Sequence, residues 1–120
     1  MKIKILIPVY NDWQSVSKVL EDINLEVSKT DHEFSVIIIN DGSTEPKPQN
    51  LENINNFKSL KIINMKTNKG HARCNAVGLK YIFEKEEFDY VIPMDGDGED
   101  RPKEVLQFID KLKYNPDKPI

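Results

Sequence analysis

The sequence has a single cysteine, Cys74, among its 120 residues, so no internal disulfide can staple it. A reducing cytoplasm is the expected compartment for such a chain. No apolar run approaches membrane-spanning length, and the opening "MKIKILIPVYND" turns polar too soon for a signal peptide. Positive charge is not in excess: 17 Lys and Arg stand against 20 Asp and Glu, a formal net charge of -3. That balance gives no global basic field for nucleic acid. There is no internal repeat. What is present suits one soluble globular domain, with 38% hydrophobic and 31% charged residues and a length too small for two ordinary domains.

Four apolar, β-branched runs stand out: Ile3–Val9, Phe34–Ile39, Leu60–Met65 and Tyr90–Met94. The second and fourth are near-continuous, the pattern of strands buried on both faces of a parallel sheet. Pro93 sits awkwardly in the fourth, since proline removes a ladder donor; the strand is either leaving the sheet there or forms its edge. Helical periodicity fills the gaps. Trp13, Val16, Val19, Leu20 and Ile23 mark one helix, with Asn11 or Asp12 as N-cap. Ala72, Ala76, Leu79, Ile82 and Phe83 mark a second. Val105, Leu106, Ile109 and Leu112 mark a third, capped by Asp100 with Pro102 in its first turn. Residues Thr44 to Ser59 read as an irregular surface connection.

Strands alternating with helices predict an α/β fold: an open, Rossmann-like, mostly parallel sheet of about four strands with flanking helices. Such sheets bind ligands beyond the carboxyl ends of their strands. Here those ends carry "YND", "NDGST", "NKGH" and "DGDGED", so four polar segments converge on one rim.

The last segment packs Asp95, Asp97, Glu99 and Asp100 into six residues. Alone, such a run reads as a solvated acidic loop. At the end of a parallel strand, beside three other polar ends, it reads as a site for a hard divalent cation, which commonly bridges one or two carboxylates to substrate phosphates. It is not an EF-hand, because Asp100 stands where glycine is needed and Leu106 where a bidentate Glu is needed. A phosphatase-type aspartyl nucleophile is a weaker echo of the same Asp-x-Asp. In "INDGST", Asp41 offers an acceptor to a base or ribose, Gly42 a close backbone approach and Ser43 a hydroxyl, although the segment is also an ordinary Asp-Gly turn. In "NKGHARCNAVG", Gly70 precedes a helix whose amides favour phosphate, with Lys69, His71 and Arg73 adding positive charge. The spacing matches neither a P-loop nor a dinucleotide fingerprint. His71 reads as a helix-start residue and Cys74 as a small apolar packing residue.

Taken in order, "IPVYND", "IINDGST", "NKGHARCNAVGL" and "VIPMDGDGEDRPKEV" resemble the family 2 glycosyltransferases with a GT-A fold, and within them the polyprenyl-phosphate sugar transferase branch. The likeness covers nearly all of the chain and all four strand ends. It implies metal-dependent, inverting transfer from a UDP- or GDP-linked sugar, with Mg2+ or Mn2+ as cofactor and polyprenyl phosphate as acceptor. It places Pro8 and Tyr10 on the base, Asp12 where an acidic residue, often Glu, stands near the nucleotide, and Asp41 on the base. It makes Asp95 and Asp97 the Asp-x-Asp pair, with Gly96 between them. Asp95 would lie near ribose and phosphate and on the metal, and Asp97 would hold the metal as the catalytic member. Glu99 would be a third metal ligand, where many of these enzymes have Gln. Gly42, Ser43, Lys69, Gly70 and Arg73 would complete the donor site.

The resemblance also implies an acceptor-binding second half, which in that family follows the Asp-x-Asp segment. The chain is therefore expected to be the donor-binding half of a larger enzyme, spanning residues 1–120, weak in nucleotide binding and nearly inactive by itself. The full-length protein would work in the cytoplasm, at the inner face of the membrane. An uncovered fourth strand would expose an edge and invite self-association. Two other functions compete. A nucleotidyltransferase would want a glycine-rich basic loop after the first strand, and "IPVYNDWQS" lacks one. A non-catalytic nucleotide-binding module would keep affinity without turnover.

Overall fold

The computed structural model describes residues 1–49, 51, 55–95 and 107. Its elements run β1 (Lys2–Val9), α1 (Trp13–Val27), β2 (Glu33–Asn40), β3 (Ser59–Asn64), α2 (His71–Lys85) and β4 (Tyr90–Pro93). The four strands form one parallel sheet in the order β3-β2-β1-β4. The expected third helix, with Asp100 and Pro102, lies outside the described residues.

Period-two side-chain alternation sorts the sheet into two faces. Ile3, Ile5, Ile7 and Val9 of β1, with Phe34, Val36 and Ile38 of β2, meet Trp13, Val16, Val19, Leu20, Ile23 and Val27 of α1. Leu6, Ile37 and Ile39 point the other way, onto Cys74 and Ile82 of α2. Each fully buried aliphatic side chain contributes about 1.5–3 kcal/mol relative to exposure, so these two layers carry the fold. Leu51, 2% exposed, joins the α1-side core from between β2 and β3.

Two expectations are corrected. The strand buried on both faces besides β2 is β1, not β4: β1 lies between two partners, while β4 is half-buried to exposed and pairs only with β1 among the described residues. The second helix also presents a different stripe. Ala72, Ala76 and Phe83 are exposed, and the buried stripe is Cys74, Gly78 and Ile82. Small residues set that stripe, because α2 lies so close to the sheet that a Cβ on Gly78 would collide with the Leu6 side chain.

Both prolines of the sheet occupy places where a donor is dispensable. Met94 N–H donates to the Leu6 carbonyl (2.9 Å), so the neighbouring Pro93 nitrogen faces the open side of β4. Pro8 comes two residues after Leu6 and so faces the same side, just past the last rung of the β1–β4 ladder. Pro93 thus resolves the awkward strand: it ends the strand and stands on its edge.

Candidate functional site

The order β3-β2-β1-β4 reverses direction at β1, whose chain leads outward to β2 on one side while β4 returns on the other. In open α/β sheets the crevice at such a switch, beyond the strands' carboxyl ends, is the usual ligand position. A cavity of about 200 Å3 lies there. Pro8, Val9 and Tyr10 from the end of β1 line it, together with Asp12 and Val16, His71 at the start of α2, and Asp95 just past β4. Tyr10 is 42% exposed, so its ring offers a stacking surface to a ligand.

The structure thus brings together four of the expected donor residues, Pro8, Tyr10, Asp12 and Asp95. It adds His71, which the sequence offered as a helix-start residue and as a source of positive charge beside Gly70. Lys69 and Arg73 instead border a separate, open groove of about 510 Å3 with Ala72 and Ala76. Gly70 is the N-cap of α2, at φ 91°. Gly96, Asp97 and Glu99 lie outside the described residues.

Asp41, Gly42 and Ser43 do not line the cavity; they tie loops together. Asp41 is 1% exposed, and its two carboxylate oxygens accept the Lys69 N–H (2.7 Å) and the Gly70 N–H (2.9 Å). Burial pushes its pKa up, but the hydrogen bonds from Lys69, the Cys74 thiol and Gly70, with the positive potential of His71, outweigh burial and hold it below the usual value. The same contact works in reverse on Cys74: burial, then its bond to Asp41 and that residue's charge, push the thiol up to about 11. Cys74 is therefore a protonated donor at neutral pH, in addition to being a packing residue. Gly42, at φ 71°, sits where a Cβ would lie 2.8 Å from Asn68 N and 2.9 Å from the Thr67 carbonyl carbon. The turn after β2 and the loop after β3 are pressed backbone to backbone.

A second set of bonds runs along the rim. Asn40 Nδ2 donates to Asn64 Oδ1 (3.0 Å), Ser43 N–H to Asn40 Oδ1 (3.1 Å), and Asn11 N–H to Ser43 Oγ (2.9 Å). Asn11 Oδ1 accepts from Thr44 N–H (2.8 Å) and Glu45 N–H (2.9 Å), while its Nδ2 donates to Thr44 Oγ1 (3.0 Å). Residue types alone do not announce these contacts; the sequence offers Asn11 as an alternative N-cap and as part of the polar "YND" end. The N-cap is Asp12, without a side-chain capping bond. The available signal was that asparagine, next to glycine, best tolerates a left-handed backbone.

Among the described residues, no three His, Cys, Asp or Glu side chains gather closely enough to hold a metal. Of the three expected ligands the described part supplies one, Asp95, at the cavity. The donor chemistry nevertheless suits a hard cation: Asp12 and Asp95 give the cavity two carboxylates, which would repel a phosphate unless a cation stood between them.

The family model for glycosyl transferase family 2 matches residues 4–118. The chain belongs to that family. The family 2 chain is 26% identical over 108 residues to the undecaprenyl-phosphate 4-deoxy-4-formamido-L-arabinose transferase of Proteus mirabilis (strain HI4320), an alignment covering 90% of this chain and 32% of that protein. Among solved structures it resembles S. aureus TarS 1-349, with 27% identity, a TM-score of 0.66, and coverage of 96% of this chain and 33% of TarS. The same TarS segment in complex with UDP-GlcNAc gives 26% identity and a TM-score of 0.69, covering 96% and 32%. The parallel α/β architecture agrees with the expected GT-A fold. The family 2 chain spans about a third of the length of these relatives.

Proposed function

We propose that these 120 residues are the donor-binding portion of a glycosyltransferase that moves a sugar, with inversion, from a nucleoside-diphosphate sugar to a polyprenyl-phosphate acceptor. The observation that carries this is the cavity at the β1–β4 switch, where an exposed tyrosine, a proline wall and two carboxylates meet. UDP is the favoured carrier, because TarS, similar over 96% of this chain, has been solved in complex with UDP-GlcNAc. The acceptor class follows the name of the Proteus relative. No helix among the described residues is long and apolar enough to cross a membrane. A lipid-linked acceptor would bring the enzyme to the inner face of the membrane from the cytoplasm.

In this proposal Pro8 and Tyr10 flank the base, and Asp12 and Asp95 orient ribose and phosphates. Lys69 and Arg73, beside the N-terminus of α2, supply positive potential for the diphosphate, whose charge grows as the sugar leaves. Asp95, Asp97 and Glu99 would hold a divalent ion, which as a Lewis acid would neutralise the departing diphosphate. Asp41 serves by holding the Lys69–Gly70 loop, since both its oxygens are engaged there.

Calorimetric titration of the chain with UDP, in Mn2+ and again in chelator, is the test. Weak, metal-dependent binding that disappears in Asp97→Ala is the expected result, with little sugar transfer by the 120 residues alone. Tight binding of nucleoside triphosphates with no preference for UDP would favour a nucleotidyltransferase instead. Absence of any nucleotide binding would discard the donor site, and vigorous turnover by the isolated chain would discard the donor-half assignment.

A further inference from the structure

We infer that Asn11 is a positioning residue for the nucleotide cavity: it fastens the turn between β1 and α1 to residues 43–45 and so holds Tyr10 and Asp12 in place. The inference rests on the donor-site proposal above and deepens it. Asn11 has φ 61°, the one positive φ at a non-glycine among the described residues. A side chain in that region costs free energy and persists only where the surroundings over-determine it. Here four hydrogen bonds do so, and all four go to Ser43, Thr44 and Glu45.

The bonds use nearly everything the residue offers. Two backbone N–H groups converge on Oδ1, which fixes the amide's orientation, and Nδ2 finds the Thr44 hydroxyl. Aspartate would keep the two accepted bonds and lose the donated one. Glycine would keep the backbone conformation and lose every side-chain bond, and alanine would lose both. Asn11 itself does not line the cavity, whereas its two chain neighbours do. It therefore acts through Tyr10 and Asp12 rather than on the ligand. A separate staple, Trp13 Nε1–H to the Glu45 carbonyl (3.1 Å), joins the same two segments and does not depend on Asn11. The variants should therefore fold, with the cavity wall loosened.

The experiment is a titration of wild type, Asn11→Asp, Asn11→Gly and Asn11→Ala with UDP and Mn2+, well below each unfolding midpoint. Amide hydrogen exchange at Thr44 and Glu45 is followed in parallel without nucleotide. Loss of pre-organisation should raise Kd about tenfold in Asn11→Gly, at least as much in Asn11→Ala and less in Asn11→Asp. Exchange at the two amides should accelerate in the same order. A merely structural role would lower the melting temperatures and leave the Kd of the folded variants unchanged, and that result would overturn the inference alone. A wild-type chain blind to UDP overturns the donor-site proposal and this inference with it.

Discussion

Asp41 is a carboxylate kept charged in a place nearly sealed from water, and its linkage to pH follows from that. Its proton affinity is lower in the folded than in the unfolded chain, where the ordinary value is 3.8. The stability it contributes is therefore fully present above the unfolded value and is lost as pH falls through the lower, folded one. Asp41→Asn would turn one acceptor into a donor facing a backbone N–H. Leaving such a buried group unmatched costs about 1–3 kcal/mol. Urea unfolding at neutral pH should show that loss, together with a shallower decline in stability in acid; an unchanged midpoint would refute the clamp. This residue also shows where the sequence stopped being informative. "INDGST" advertised an acceptor, a flexible turn and a hydroxyl, all suited to a ligand. Only the fold reveals that Asp41 turns to Lys69 and Gly70, and Ser43 to Asn11 and Asn40. Residue type announces a polar group's chemistry; its direction depends on loops distant in sequence.

At the scale of elements, short apolar, β-branched runs were sufficient for all four strands, although only β1 and β2 are buried along their length. They were insufficient for rank. β4 reads as apolar as β2 yet is an edge among the described residues, since pairing order is not written in composition. The α2 stripe was legible only in part: Ile82 is buried and Leu79 packs against the core as expected, whereas Ala72, Ala76 and Phe83 face out and Cys74 and Gly78 complete the contact with the sheet. Phe83, at 69% exposure, spends its ring on an edge-on contact with Phe88 instead. Gly78→Ala tests the close approach. Helix propensity alone would favour alanine by about 1 kcal/mol, whereas overpacking against the fully buried Leu6 costs typically about 1–3 kcal/mol. We expect overpacking to win and the variant to unfold at lower urea; a stabilised variant would mean that Leu6 has room to swing aside.

For the molecule as a whole, the α/β class and the rim of strand ends were legible from the alternation of periods, and the switch between β1 and β4 was not. It arises because β1 takes one neighbour from the next strand and the other from nearly the far end of the described chain: Lys2 N–H reaches Asp89 Oδ2 (2.6 Å) across 87 positions. That separation imposes an order in time. During synthesis β1, α1, β2, β3 and α2 all emerge before β4, and contacts of long sequence separation close last. The cavity at the switch, which needs both β1 and Asp95, is then a late-closing seam rather than a nucleus. On the donor-site proposal, UDP would bind only the finished sheet and would not guide early folding. Pulse-labelled hydrogen exchange should find the β2–β3 amides protected before that of Met94, and nucleotide should slow unfolding without hastening the first protection. Early protection of Met94 would refute this order. The strand beside the cavity is thus also its latch, and a cell that retards β4 would accumulate chains with an intact core and an unfinished cavity.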